Sequence, residues 1–443
     1  MGVQQAKINH LDTQPVGRTF VRYLIPSLVG MLLMAVNFVV DGVMVGNRLG
    51  PIALAGVGIA GPVYTIFLAM SLWIGIGAAT QYSQTMGAKK KKRAQFIFTH
   101  SLVFIFGATL IIGLIAFLFR EPLAYALGAN EETYPFVSRY MNVLLLFGFV
   151  FTIENAFSVF VRNDGDPNLA MLALIITAFS NIALNYVFLY KLNLGVAGAA
   201  FSTILAAFLG IIVLSIHFFK KSSNLRLVRF KFEKSLFVQT MIIGFPSFLA
   251  EVGISVFTIA HNITLERIAG TDGVAAFSVL NYVHSVMLMM FLGMGAAIQP
   301  LVSYYHGAKR HERKQQTIRI AVWTAVGAGV LFFFIGQFAA KPIVAIFGDF
   351  PDSIKHLSAT GIKLFFIAYL FMGTNFVMMT YYQSVGHVRM ATWITASREI
   401  LMMIVFLFIL PPLFGVNGVW LAIPMSEFLV LLTIYLYQKR RRF

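Results

Sequence analysis

The sequence predicts an all-α polytopic membrane protein with twelve transmembrane helices in two parallel six-helix pseudo-repeats. Three observations predict it. Hydrophobic residues make up 58% of the 443-residue chain and charged residues only 12%, with a mean hydropathy of +0.80; a soluble domain carries about twice that charge. Apolar stretches of ~20 residues or more, enough to cross a bilayer as helices, follow one another with short polar breaks. None shows the strict alternation of the ~10-residue spans of a β-barrel.

The third observation is an internal repeat at an offset of 220 residues. "IPS" (Ile25–Ser27) meets "FPS" (Phe245–Ser247), and "SQTMGAKKKKRAQ" (Ser83–Gln95) meets "SYYHGAKRHERKQ" (Ser303–Gln315). "EPLAYALG" (Glu121–Gly128) meets "KPIVAIFG" (Lys341–Gly348), and "LGVAG" (Leu194–Gly198) meets "FGVNG" (Phe414–Gly418). One offset over nearly the whole chain indicates duplication. Each half holds an even number of spans, so both halves insert with the same polarity.

The elements follow in order. The first helix, near 20–47, carries Pro26, Asn37 and Asp41; the second, 54–86, is long and glycine-rich and ends at the basic run Lys89–Arg93. The third lies near 95–119, and the fourth, 136–160, holds Glu154 and Asn155. After the short loop with Asp164 and Asp166, the fifth helix, 168–190, carries Asn181 and Asn185, and the sixth, 196–219, carries Thr203. The basic stretch 220–234 reads as a flexible joint between an N-terminal lobe, 1–219, and a C-terminal lobe, 235–443. The seventh helix, 236–266, holds Glu251 and His261, and the eighth, 274–305, holds His284. The ninth, tenth, eleventh and twelfth lie near 318–340, 360–383, 390–410 and 416–437, with Arg398 and Glu399 in the eleventh and Glu427 in the twelfth.

The formal charge of +17 is placed by topology. Lys7, Arg18, Arg22, Lys89–Arg93, Lys220–Lys234, Lys309–Arg319 and Lys439–Arg442 flank the N-terminus, the even-to-odd loops and the tail. Glu121, Glu131, Glu132, Asp272, Asp349 and Asp352 fall in the opposite loops. The positive-inside rule then puts both termini in the cytoplasm. The basic residues accompany no aromatic nucleic-acid module, so the expected contact is anionic lipid and not nucleic acid.

Other chemistry is excluded by type. There is no cysteine, hence no disulfide and no thiolate metal site. The first 20 residues have no apolar core, so no cleavable signal is expected and the first helix serves as the membrane signal. No phosphate-binding Gly-rich loop with its Lys-Ser/Thr occurs, and "HERKQ" (His311–Gln315) lacks the second histidine of a zinc-protease motif. An enzyme is not expected, nor a metal or cofactor; the driving force is an ion gradient.

Asp41 is the main candidate site. It stands inside the first span, where a carboxylate costs several kcal/mol unless paired, hydrated or protonated. Asn37 is one turn earlier on the same face, and Asn181 and Asn185 repeat the i, i+4 spacing in the fifth helix. With Thr203 they would make a polar pocket whose carboxylate takes up a proton and gives it up when a conformational change rehydrates it. Carboxylate, amide and hydroxyl oxygens would also suit sodium. Interhelical hydrogen bonding alone would contribute about 0.6–2 kcal/mol per contact, and that suffices for Asn37.

The second half is not a copy. At the repeat offset Asp41 meets His261, while Asn181 and Asn185 meet Leu401 and Val405. Glu251 and His261 are secondary coupling candidates; alternatively Glu251 or Glu427 pairs with Arg398 as a buried structural ion pair, and Arg398, Glu399 and Glu427 read as structural, although adjacent Arg398 and Glu399 should not face each other. Glu154 is a further secondary candidate. The many Phe (44) and Met (20) residues would give any inward-facing surface an adaptable lining.

"VNFVVDGVMVGNRLG" (Val36–Gly50), "GAKKKKRAQ" (Gly87–Gln95), "VRNDGDPN" (Val161–Asn168) and "NIALNYVFL" (Asn181–Leu189), together with the six-plus-six repeat, resemble the multidrug and toxic compound extrusion (MATE) family. "ASREI" (Ala396–Ile400) leans toward its bacterial damage-inducible-protein-like subgroup. The resemblance covers essentially the whole chain. It implies two six-helix lobes in a V, and export of cationic amphipathic drugs by alternating access in exchange for protons or sodium. The family's first-helix Asp matches Asp41, and its fifth-helix pair matches Asn181 and Asn185. The last position is commonly Asp in the family, so one negative charge is missing here. That favours protons, and Glu154 is the candidate to supply the charge. The expected protein is a monomeric proton-coupled drug antiporter of the bacterial cytoplasmic membrane, whose partners are small organic cations, protons and lipid. The alternatives are a sodium-coupled exporter, a lipid-linked precursor flippase of the same superfamily, and a passive channel.

Overall fold

The computed structural model describes residues 11–348 and 350–441. Lys7, Asp349 and Arg442 lie outside the described residues. Among those described, every regular element is helical. The first half comprises α1 (Val16–Leu49), α2 (Pro51–Gly87), α3 (Lys91–Leu118), α4, α5 and α6 (Gly195–Phe219). Here α4 is Tyr134–Phe147 and Phe149–Asn163, bent by 52°, and α5 is Pro167–Asn185 continued by a π turn, Tyr186–Lys191. A short helix, Arg120–Ala126, separates α3 from α4.

In the second half, Lys234–Gly307 is broken at Gly270 (φ 60°, ψ −152°), giving α7 (234–269) and α8 (271–307). Then come α9 (His311–Ile346), α10 (Asp352–Phe365, a 3₁₀ turn and Tyr369–Ser384), α11 (Val388–Ala396, a π turn Ser397–Leu401, and Met402–Phe414) and α12 (Val416–Arg441). Among the described residues ten stretches are long and apolar enough to cross a membrane, eleven counting the bent α4. The break at Gly270 divides one of them, which gives the twelve spans the sequence predicts.

The backbone repeats at the same offset as the sequence. Positive φ occurs at Gly50 and Gly270, Lys89 and Lys309, Gly128 and Gly348, and Gly195 and Gly415. Each pair lies at the repeat offset, and each marks a turn between helices. Gly50, at φ 87°, is where α1 reverses into α2; a side chain there would be strained, which is why glycine recurs at both copies.

The chain forms two compact units. One runs to Phe248 and takes in Ser303–His311; the other holds Leu249–Val302 and Glu312 onward. The first fifteen residues of α7, 234–248, therefore pack with the first unit. Trp73 of α2 stacks on Phe248 at 4.4 Å between ring centres and donates from Nε1 to Met241 O at 2.7 Å.

The stretch read as a flexible joint is tied down along α3. Gln95 donates to Asn224 O (3.0 Å), Val228 N donates to Thr99 Oγ1 (3.0 Å), and Glu233 N donates to His100 Nε2 (3.3 Å). Arg93 binds Glu233 through two bonds of 2.6 Å. Its start is held by buried Asp164, which accepts from Asn224 N (2.7 Å), while Tyr82 OH (2.7 Å) and a ring nitrogen of His217 (2.8 Å) hold the same carboxylate. An extended strand of chain tied at Asn224, Val228 and Glu233 is a strap: at these points its backbone N–H groups have partners that a loose linker would leave to water.

Candidate functional site

The polar pocket lies where α1, α5 and α6 meet. α5 packs closely on both α1 and α6. Below it lies an apolar cluster that includes Val45 of α1, Tyr140 of α4, and Ala199, Ala200 and Ile204 of α6. The small residues of α6 let α5 approach closely enough for short polar side chains to meet across the interface.

Asp41, one turn before Val45, accepts a hydrogen bond at Oδ1 from Asn185 Nδ2. Asn185 is fully buried. Its Oδ1 accepts from Ser202 Oγ at 2.6 Å, and its Nδ2 also donates to Asn181 Oδ1 at 3.3 Å. Asn181 Nδ2 donates to Ser202 Oγ (3.4 Å) and Thr203 Oγ1 (3.3 Å). Asp41, Asn181, Asn185 and Thr203 thus form one network, and every partner of the carboxylate in it is neutral. Asn37 lies on the same face of α1 but outside the network: its Oδ1 is enclosed with no hydrogen-bond partner.

Sequence reading missed Ser202. It is fully buried and bridges both asparagines. The adjacent "ST" pair in α6 was the available signal; which of two neighbouring hydroxyls faces α5 depends on the rotation of α6, and both do.

Glu154 does not reach Asn185. It is 6% exposed, and its Oε1 accepts from Thr177 Oγ1 of α5 at 2.9 Å, two turns before Asn185. Gly210 of α6 makes room for the pair: a Cβ there would stand 2.3 Å from Thr177 Oγ1 and 2.5 Å from Glu154 Oε1.

The second unit holds a different arrangement. Arg398 donates from Nε to Glu427 Oε1 (2.9 Å), its Nη1 lies 3.0 Å from Glu399 Oε1, and its guanidinium covers the Phe376 ring at 3.8 Å. Asn375 Nδ2 donates to Glu427 Oε2 at 2.7 Å. Arg398 and Glu399 therefore do face each other, against the expectation for adjacent helical residues. The cause is the π turn Ser397–Leu401, whose wider winding changes the angle between successive side chains. A cavity of about 30 Å³, lined by Asn281, His284, Ser285, Arg398, Glu399 and Glu427, adjoins the triad.

His261 is fully buried; its Nδ1 bonds Phe257 O at 2.9 Å and its ring stacks on Phe277 at 5.2 Å. His284 bonds Tyr369 OH through Nδ1 at 2.9 Å. Among the described residues Glu251, half-buried on α7, forms no ion pair with Arg398. Among the described residues no cluster of His, Asp and Glu is arranged to hold a metal ion.

A duplicated six-helix unit, with a carboxylate bonded to an amide inside a membrane span of one copy, defines a class: the polytopic membrane transporters. The comparisons place the chain within it. The MatE family profile matches residues 26–187 and 246–409, one segment in each half, and the chain belongs to the MatE family. It is 23% identical to the multidrug export protein MepA of Staphylococcus saprophyticus, over 99% of this chain and 98% of that one. It is 24% identical to the probable multidrug resistance protein YoeA of Bacillus subtilis, over 98% and 96%. A multidrug resistance MATE family transporter solved in an outward-facing conformation superposes with a TM-score of 0.90 at 23% identity, covering 98% of this chain and 97% of that one.

Proposed function

We propose that this multipass membrane protein exports cationic amphipathic compounds in exchange for protons, with Asp41 as the group for which proton and cargo compete. The relatives named for multidrug export support the cargo class. The observation that carries the coupling is the pairing of Asp41 with an amide donor, Asn185 Nδ2, in a network of neutral groups. A half-buried carboxylate inside a membrane span, with no cationic partner among the described residues, is neutral when it holds a proton and attracts a cation when it does not. Binding one excludes the other, and that exclusion is what an antiporter requires.

The hydrogen bonds also favour protons over sodium. A sodium ion needs oxygen ligands turned inward, whereas here an N–H of Asn185 occupies the carboxylate and the amide oxygen is engaged by Ser202. The basic inner loops support cytoplasmic termini in a bacterial inner membrane.

The test uses the purified protein in liposomes with an imposed pH gradient, no sodium, and ethidium as probe. The wild type is expected to move dye, and a folded Asp41→Asn variant is not. Equal transport by the variant would return the pocket to a purely structural role; a requirement for sodium would replace the proton in this reading.

A further inference from the structure

Glu154 is a buried carboxylic acid that the Asp41 pocket does not use. Among the described residues its one hydrogen-bonding partner is neutral: Thr177 Oγ1 donates to Oε1 at 2.9 Å, and Oε2 makes no hydrogen bond. No ion pair includes it among the described residues. Thr177, Asn181 and Asn185 recur at every fourth position of α5, so they form one line along its face. Asp41 meets the line at Asn185 and Glu154 meets it at Thr177. The separation along the α5 axis is about 12 Å for eight residues.

α4 extends the series away from Asp41. One turn beyond Glu154 is Ser158, 3% exposed, with a hydroxyl that has no hydrogen-bond partner among the described residues. One further turn is Arg162, at the end of α4 beside the Asp164–Asp166 loop. An orphaned buried hydroxyl asks for an explanation, and its position, between a carboxyl and the helix end, suits a group that bonds transiently to passing water.

We propose that Glu154 is a second proton-binding carboxyl, which receives the proton that Asp41 releases and delivers it toward the end of α4. The inference rests on the proton reading of Asp41. In the step, the O–H bond of the Asp41 carboxyl breaks and a proton passes through water along Thr203, Asn181 and Thr177. An O–H bond then forms on Glu154 Oε2. Asp41 is left as the carboxylate that receives the cationic cargo, and Glu154, until then a carboxylate, becomes the acid. The amides orient the water; the hydroxyls and the water carry the proton. Asp41 can in this way lose its proton inward without being opened to the side from which the proton came.

Glu154→Gln keeps an acceptor for Thr177 and the same volume, so a packing role survives it while proton binding does not. The experiment compares two modes in liposomes: ethidium uptake driven by a pH gradient, and ethidium-for-ethidium exchange at equal pH, which moves no net proton. Glu154→Gln is expected to slow driven uptake by about tenfold or more and to leave exchange within about twofold, whereas Asp41→Asn stops both. Glu154→Asp should recover part of the driven rate. Driven uptake unchanged in Glu154→Gln, or both modes slowed alike, would overturn the relay. If Glu154→Gln does not fold, Thr177→Val decides by the same split between modes. A wild type that ignores the pH gradient would instead remove the proton reading itself, a result separable from any of these.

Discussion

The two halves of this chain hold carboxylates in opposite ways. In the first, Asp41 bonds Asn185 inside a network of amides and hydroxyls, and Glu154 bonds Thr177. In the second, Glu427 and Glu399 flank Arg398, which also covers Phe376. A carboxylate beside a permanent guanidinium is compensated at any physiological pH and needs no proton. A carboxylate among neutral groups is compensated only by something that comes and goes. Duplication supplied the same helices twice, and divergence at a few positions (His261 where the first half has Asp41, Leu401 where it has Asn181) left a carboxylate among neutral groups in one half and a guanidinium between two carboxylates in the other.

That contrast can be broken most sharply at Arg398. Arg398→Met strands Glu427 and Glu399, and removing one partner of a buried ion pair costs about 3–5 kcal/mol; thermal unfolding in detergent should show the loss. Replacing the whole triad, Arg398→Met with Glu399→Leu and Glu427→Leu, should restore much of it. A triad-free protein that stays equally unstable would mean these charges do more than balance each other.

Asp41→Asn should act in the reverse manner. Gradient-driven dye transport is expected to fall on the order of 100-fold, with the unfolding temperature little changed, since an amide can still accept from Asn185. A large drop in stability with transport retained would erase the distinction between the halves. Ser202→Ala sharpens it at smaller scale: Asn185 Oδ1 loses its 2.6 Å donor in a fully buried setting, at about 1–3 kcal/mol. Driven transport should weaken more than thermal stability accounts for, measured side by side.

The smallest effect concerns the strap. The Arg93 guanidinium, through paired hydrogen bonds, holds the Glu233 carboxyl below its ordinary range. A depressed carboxyl contributes stability above its unfolded value, and that contribution is lost as pH falls through the folded one. Arg93→Gln should therefore change docking of residues 220–233 at neutral pH and leave it unchanged in acid. Hydrogen exchange of Val228 and Glu233 N–H reads this directly, and equal protection at both pH values would show the pair is idle.

The sequence by itself determined the class, the twelve spans, the 220-residue repeat and the helix faces on which Asp41, Asn181 and Asn185 lie. These follow from hydropathy, spacing and self-similarity, which are local or linear properties of a chain whose solvent is lipid. Tertiary structure decided the partners. Thr203 could be named because it is polar in an apolar helix, but Ser202 beside it became visible only with the rotation of α6 against α5. Glu154 could be flagged as buried, yet its pairing with Thr177 depends on the bend of α4 and on the gap left at Gly210. Arg398 turned toward Glu399 because a π turn altered the winding of α11. The basic stretch after α6 became a strap because Asp164, Thr99 and His100 stood ready to satisfy its backbone. In each case periodicity fixes the face of one helix, while the contact needs the angle and depth at which a second helix meets it, and those are set by packing across the whole bundle.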